Sequence, residues 1–250
     1  MRNPQLPFRP GDGQDRFVTT LTRTNHGLRM SQHGVVISEL RTSPGPTHSV
    51  FDVLAAVIAV LAPSGRIGVL GFAGGGMVAP LRALGVAAVI DSVDLDRVGY
   101  DLFRQHCPQW ASGVNWQQAD AVAWLRQQPR AFSLLMDDLS VPQAGDVFKP
   151  AICWDVLPKL MRRRLRPGGF GVFNLLPAPG GTWNADLAVI VGLFGAARII
   201  TLDEFENRIL LTGDGLPTAR ELGFRLRQSL RRLRSRQAGR IHLRCVNAAG

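Results

Sequence analysis

The sequence predicts an α/β protein: a mostly parallel, doubly wound, seven-stranded sheet with helices on both faces, preceded by a small antiparallel β unit. Two observations carry this expectation. From residue 66 onward short apolar runs alternate with helix-length segments, and strands alternating with helices imply a mostly parallel sheet with right-handed crossovers, covered on both faces. Before residue 42 the pattern is different, with three short runs separated by NHG and QHG, which read as strands joined by tight turns.

Residues 1–15 are rich in Pro, Gly and polar side chains and read as loose. RFVTTLTRT (16–24), HGLRMS (26–31) and GVVISEL (34–40) form the antiparallel unit, and TSPGPT (42–47) breaks it and supplies capping chemistry for the helix HSVFDVLAAVIAVLA. The division falls between residues 1–47 and 48–250. Seven strands follow: RIGVLGF (66–72), AAVIDSVDL (87–95), GVNWQQ (113–118), FSLLMDD (132–138), GFGVFNLL (169–176), ARIITL (197–202) and NRILLTG (207–213). A helical segment separates most neighbours, and TARELGFRLRQSLRRLRSR makes a last helix.

The 250 residues are enough for one sizeable core. Hydrophobic residues make up 46% and charged residues 19%, which excludes wholesale disorder. The formal net charge is +10, nearly all of it arginine, since the only lysines are Lys149 and Lys159. The excess concentrates in 219–244, where a basic helix can meet nucleic acid; a solvated helix face is the preferred reading. Cys107, Cys153 and Cys245 lie far apart without CxxC spacing, so neither a disulfide frame nor a metal site is expected. The first residues lack the apolar middle of a signal peptide, and the apolar stretches 53–63 and 187–197 are too short to span a bilayer. A cytoplasmic protein with no membrane contact is the expectation.

Ligands of such sheets sit at the carboxyl ends of the strands, near the switch point. The first end, LGFAGGGM, places Gly71, Gly74, Gly75 and Gly76 where a chain must turn sharply and let a ligand approach the backbone; close helix–strand packing is the competing explanation. It lacks the GK[ST] of a phosphate-cradling hydrolase. The second, IDSVDLDRVGYD, closes with Asp94, which can accept hydrogen bonds from both hydroxyls of a ribose, while Asp96 is better placed to cap the next helix. Asp120 after the third strand is equally a helix cap and an acceptor for an adenine amino group. Asp137 and Asp138 end the fourth strand and point to opposite faces, so only one faces the cleft.

These strand ends, in this order, resemble the Rossmann-like class I S-adenosylmethionine-dependent methyltransferase fold, and more closely the spermidine synthase (polyamine aminopropyltransferase) family that shares it. The resemblance runs from about residue 48 to 213 and rests on RIGVLGFAGGGM, VDLD, ADAVAWL, FSLLMDDLSVP and VFKPAICWDVLPKLMRRRLRPGGFGVFNLL; the preceding hairpins match the family's small N-terminal β domain. It implies S-adenosylmethionine or its decarboxylated form as cofactor, with Gly71, Gly75 and Gly76 lining the methionine portion, Asp94 on the ribose, Asp120 beside adenine and Asp138 as the proton acceptor. It implies a small-molecule acceptor and a homo-oligomer, commonly a dimer.

The departures bear on function. The family's GGGDGG turn has an acid where this chain has Gly74, and its second aspartate is replaced by Val141. The single tyrosine, Tyr100, lies on a helix away from the polyamine pocket. Methyl transfer to an acceptor other than putrescine is therefore the leading reading. True aminopropyl transfer, with Asp137, Asp52 or Glu39 replacing the lost carboxylate, is the second, and a non-catalytic binding protein the third. His48 faces the expected cleft, and Phe148 and Lys149 are assigned to a gating loop.

Overall fold

The computed structural model describes residues 6–7, 19–62, 64–143, 146–176 and 183–246. The expected strand residues 16–18 and most of the loose segment 1–15 lie outside them. Two residues of that segment are paired: β1 (Leu6–Pro7) runs antiparallel to β2 (Thr19–Thr24). β3 (Gly27–Gln32) and β4 (Val35–Arg41) complete a four-stranded antiparallel sheet.

After α1 (Val50–Leu61) the chain alternates as the sequence predicts: β5 (Ile67–Leu70), α2 (Val78–Ala83), β6 (Ile90–Asp94), α3 (Val98–His106), α4 (Pro108–Ala111), β7 (Val114–Gln118), α5 (Ala121–Gln127) and β8 (Phe132–Asp137). A small antiparallel ribbon, β9 (Val141–Gln143) and β10 (Asp146–Phe148), interrupts before α6 (Val156–Arg164), β11 (Leu165–Leu175), α7 (Trp183–Phe194), β12 (Ala197–Leu202), β13 (Arg208–Thr212) and α8 (Ala219–Leu233). The expected seven strands become eight, because β14 (Ile241–Val246) pairs antiparallel with β12 at the sheet edge. Ile241, His242, Leu243 and Arg244 alternate apolar and polar, a strand signal submerged in the basic run that reads as helix.

The large sheet has the order β14-β12-β13-β11-β8-β5-β6-β7. β7, β6, β5, β8 and β11 are parallel neighbours, and β13 is inserted antiparallel between β11 and β12. The chain winds outward from β5 to β7, then returns to the other side of β5 as β8, so the switch point lies at the carboxyl ends of β5 and β8. An antiparallel strand presents its first residues there, which brings the residues before β13 to the same end.

Side chains of successive strand residues divide the core in two, as period-two geometry requires. Leu134 and Met136 of β8, with Ile209 and Leu211 of β13, pack with α1, α2, α3 and α8. Leu135 and Leu210, between them in sequence, pack with α5, α6 and α7. α1 is buried almost all round because α8 lays Leu222, Leu226 and Leu230 in the same core cluster. Arg225 donates to the Val60 carbonyl (3.0 Å) and Arg232 to the Leu84 carbonyl (2.6 Å), satisfying acceptors at the ends of α1 and α2. Tyr100, on α3, stacks on Trp116 at 4.5 Å between centroids. The three cysteines are free.

Candidate active site

At the switch point the strand ends enclose a cavity of about 780 Å³, roofed by β3, β4 and the loop before α1. Gly71 and Gly76 from the turn after β5, Asp94 and Asp96 after β6, Asp120 after β7, and Asp138 after β8 all line it. Asn174 at the end of β11 and Asn207 just before β13 complete the wall.

The glycine turn divides between the two explanations the sequence left open. Gly71 has φ +86°, and a Cβ there would lie 2.8 Å from the Asp138 carbonyl oxygen, so only glycine lets the β5 and β8 ends meet. Gly74 and Gly75, expected against a cofactor, are not on the cavity wall. A Cβ on Gly75, at φ +68°, would strike the Phe72 ring at 2.6 Å; on Gly74 it would meet Ser38 at 3.0 Å and Leu40 at 3.2 Å. Any side chain at position 74 would have to displace Ser38 and Leu40 of the N-terminal sheet. Ala73 (φ 46°) and His48 (φ 61°) are non-glycine residues in the left-handed region, and both line the cavity.

Asp94 stands at the tip of β6 and is largely buried. Its Oδ2 accepts the backbone N–H of Phe72 and of Ala73, each at 2.9 Å, so one carboxylate oxygen fastens the glycine turn to the neighbouring strand. Burial raises its pKa, and those donations oppose the shift. Asp96 Oδ1 accepts from Val98 N–H (2.9 Å) at the start of α3, but the cap position that the sequence assigned to Asp96 is held by Arg97, which makes no capping bond; Asp120 caps α5 through Ala123 N–H (2.9 Å) while lining the cavity. Leu95, between Asp94 and Asp96, is 67% exposed and also lines the wall, a bare apolar face that only the folded chain reveals.

Of the adjacent carboxylates, Asp138 faces the cavity and Asp137 does not. Burial pushes Asp138 up to about 6; a 2.6 Å hydrogen bond from Asn174 and the charge of Lys149 hold it down, whereas Asp137 and Asp94 push it further up. Asn207 donates in turn to Asn174 Oδ1 (2.9 Å), so two amides fix one oxygen of Asp138. Asp137 accepts from Lys149 Nζ at 2.9 Å with both side chains fully buried. Lys149 also donates to the Leu139 carbonyl (2.7 Å). It is thus the anchor of the segment carrying β9 and β10, and not itself a gating group.

The carboxylates expected to replace the family's second aspartate are all committed elsewhere. Asp52 accepts from Thr47 N–H (2.7 Å) and His48 N–H (2.9 Å) at the entry to α1 and is not on the wall. Glu39 lines the cavity but pairs with Arg29 at 3.0 Å; Glu204, which the sequence did not single out, also lines it and is bonded to Arg240 and Gln237. Val141, at the lost aspartate's position, lines the cavity as an exposed apolar side chain. Among the described residues no group of His, Cys, Asp or Glu is arranged to hold a metal ion, and no helix is long and apolar enough to cross a membrane.

No protein-family model matches the chain, and neither does any curated protein sequence. Solved structures do match. A probable spermidine synthase of Corynebacterium glutamicum superposes with a TM-score of 0.71 at 18% identity, over 95% of this chain and 91% of that one. A spermidine synthase in complex with the transition state analogue AdoDATO gives 0.64 at 11% identity, over 82% and 73%. The human methyltransferase-like protein 13 in complex with SAH gives 0.57 at 19% identity, over 75% and 92%. The fold is that of the spermidine synthases and class I methyltransferases. Since the match to the first covers nearly the whole chain, it includes the antiparallel N-terminal sheet that roofs the cavity.

Proposed function

We propose that the chain is a transferase that binds S-adenosylmethionine or a related adenosyl compound in the cavity and passes a methyl group to an acceptor other than putrescine. The observation that carries this reading is the convergence of Gly71, Asp94, Asp120 and Asp138 on one cavity from four adjacent parallel strand ends. The residues present suit an adenosyl compound. Asp94 Oδ1 accepts one backbone N–H, from Asp96 at 3.3 Å, and keeps a second lone pair for the hydroxyls of a ribose; Asp120 offers an acceptor for an exocyclic amine, and Leu95 offers an apolar face to a flat ring. The similar structures bound to SAH and AdoDATO support this choice of ligand.

The bound compound would supply an electrophilic carbon on a sulfonium centre. The protein's own contribution is alignment and proton management. Asp138, ionised above about pH 6, takes a proton from an attacking amine or hydroxyl through the oxygen not held by Asn174. A diammonium acceptor would need carboxylates at both ends on leaving water; Glu39 and Glu204 are each already paired with an arginine, which favours a different acceptor. Isothermal titration with S-adenosylmethionine, S-adenosylhomocysteine and methylthioadenosine should give heat with at least one; absence of heat with all three rejects the reading.

Aminopropyl transfer is the second reading, favoured by the near-complete overlap with a probable spermidine synthase. Formation of spermidine from putrescine and the decarboxylated cofactor would select it, and absence of product would remove it. The dimer that the family resemblance implies is a question for light scattering.

A further inference from the structure

The outer face of α8 is left without a role by the cavity. Three arcs run along this helix. Leu222, Leu226, Leu230 and Leu233 are buried in the core. About 100° from the next arc, Glu221 lies 3.8 Å from Arg225, and Arg225 and Arg232 donate to backbone carbonyls of α1 and α2. The third arc, at spacings of four, three and four residues, carries Arg220, Phe224, Arg227 and Arg231. Arg220 and Arg231 are exposed and have no acidic partner among the described residues, and Phe224 is 61% exposed between them. Arg227 gives one hydrogen bond, to the Ile241 carbonyl at 3.3 Å. The row continues past the helix end through exposed Arg234 to Arg236, which lines the cavity.

From this juxtaposition of an arginine row, in which Arg220 and Arg231 have no acidic partner among the described residues, with a central exposed phenylalanine, leading to the cavity wall, we propose that α8 is a docking track for single-stranded nucleic acid. At 1.5 Å per residue the row from Arg220 to Arg234 is about 21 Å long, enough to follow several phosphates of one strand. A phenylalanine ring standing among cations is the arrangement on which an unpaired base stacks while its phosphates meet the arginines. The apolar face that an interfacial helix would give to a lipid surface is, on α8, already used in the core. The inference concerns binding alone and holds whatever group is transferred in the cavity.

The test is fluorescence anisotropy of a labelled 20-nucleotide oligouridylate titrated with the full chain at 50 and 200 mM salt. Contact with three or four phosphates predicts a slope of log K against log salt of about −2 to −3. The pair Arg220→Gln/Arg231→Gln should weaken binding at least about tenfold and flatten the slope by about 1.4. Phe224→Ala should weaken it about fivefold or more with the slope unchanged. Arg162→Gln/Arg163→Gln removes the same charge from exposed positions of α6 and should leave affinity within about twofold. Equal loss in both double variants, no binding at 50 mM salt, or tighter binding to polyglutamate or phosphatidylserine vesicles overturns the proposal. Titration of S-adenosylmethionine into Arg220→Gln/Arg231→Gln should match the unsubstituted chain, which separates this outcome from failure of the cavity assignment.

Discussion

The side-chain amide of Asn174 donates to Asp138 Oδ1 over 2.6 Å, and Asn207 donates to Asn174 in the same direction. The two amides come from the end of β11 and from just before the antiparallel β13, and they form a chain that ends on a carboxyl group whose pKa burial has pushed up to about 6. Donation to the ionised form opposes that shift. If Asp138 is the base, the pH–rate profile should rise to a plateau with its midpoint near 6. Asn174→Leu should move the midpoint upward, because the carboxylate loses its best donor. An unmoved midpoint would detach Asp138 from the rate.

Asp138→Asn tests the same group by activity and by stability. Turnover should fall by about 10²–10⁴, the usual weight of a general base, with cofactor affinity retained. The sign of the stability effect follows from the raised pKa. The native state binds the Asp138 proton more tightly than the unfolded chain, so the stability it contributes is complete below about pH 4 and lost as pH rises through about 6. At pH 8 the asparagine variant should melt a few degrees higher than the unsubstituted protein, and at pH 4 the two should coincide. Thermal scans at the two values decide it.

Asp94→Ala should harm both binding and the turn. It removes the acceptor of Phe72 and Ala73 N–H, and an unsatisfied buried donor costs about 1–3 kcal/mol. Chemical denaturation should report that loss, and calorimetry should show cofactor binding at least about tenfold weaker. A variant that unfolds more easily yet binds normally would assign Asp94 to architecture alone.

The buried pair Lys149–Asp137 should matter for stability and not directly for chemistry. Burial lowers the pKa of Lys149, but the charge and hydrogen bond of Asp137 with the nearby Cys153 and Asp138 outweigh it, and the ammonium is held above its ordinary pKa. Lys149→Met leaves the Asp137 carboxylate buried and unpaired, a loss of about 3–5 kcal/mol. Lys149→Met combined with Asp137→Asn should recover part of it. Denaturant midpoints of the two variants measure the difference.

The strand–helix alternation, the antiparallel opening unit and the acidic strand tips were legible in the sequence because each is written in local patterns. Periodicity marked the buried strands, and the order Gly71, Asp94, Asp120, Asp138 followed from strand ends in a parallel sheet. β14 was not legible, since its alternation of Ile241 and Leu243 with His242 and Arg244 lies inside a basic run. The supporting amides Asn174 and Asn207 escaped for another reason: polar residues at strand ends are common, and nothing local shows that they meet.

By itself the sequence determined which segments could be buried strands and which strand tips carried acids, because side-chain periodicity is a property of the local chain. Only the tertiary structure decided which of those groups share a cavity. Folding turned Asp138 inward and Asp137 onto Lys149, pressed Gly74 and Gly75 against protein instead of open space, and gave Glu39 an arginine. Pairing and burial depend on residues far apart along the chain, and their energies exist only once the sheet has brought those residues together.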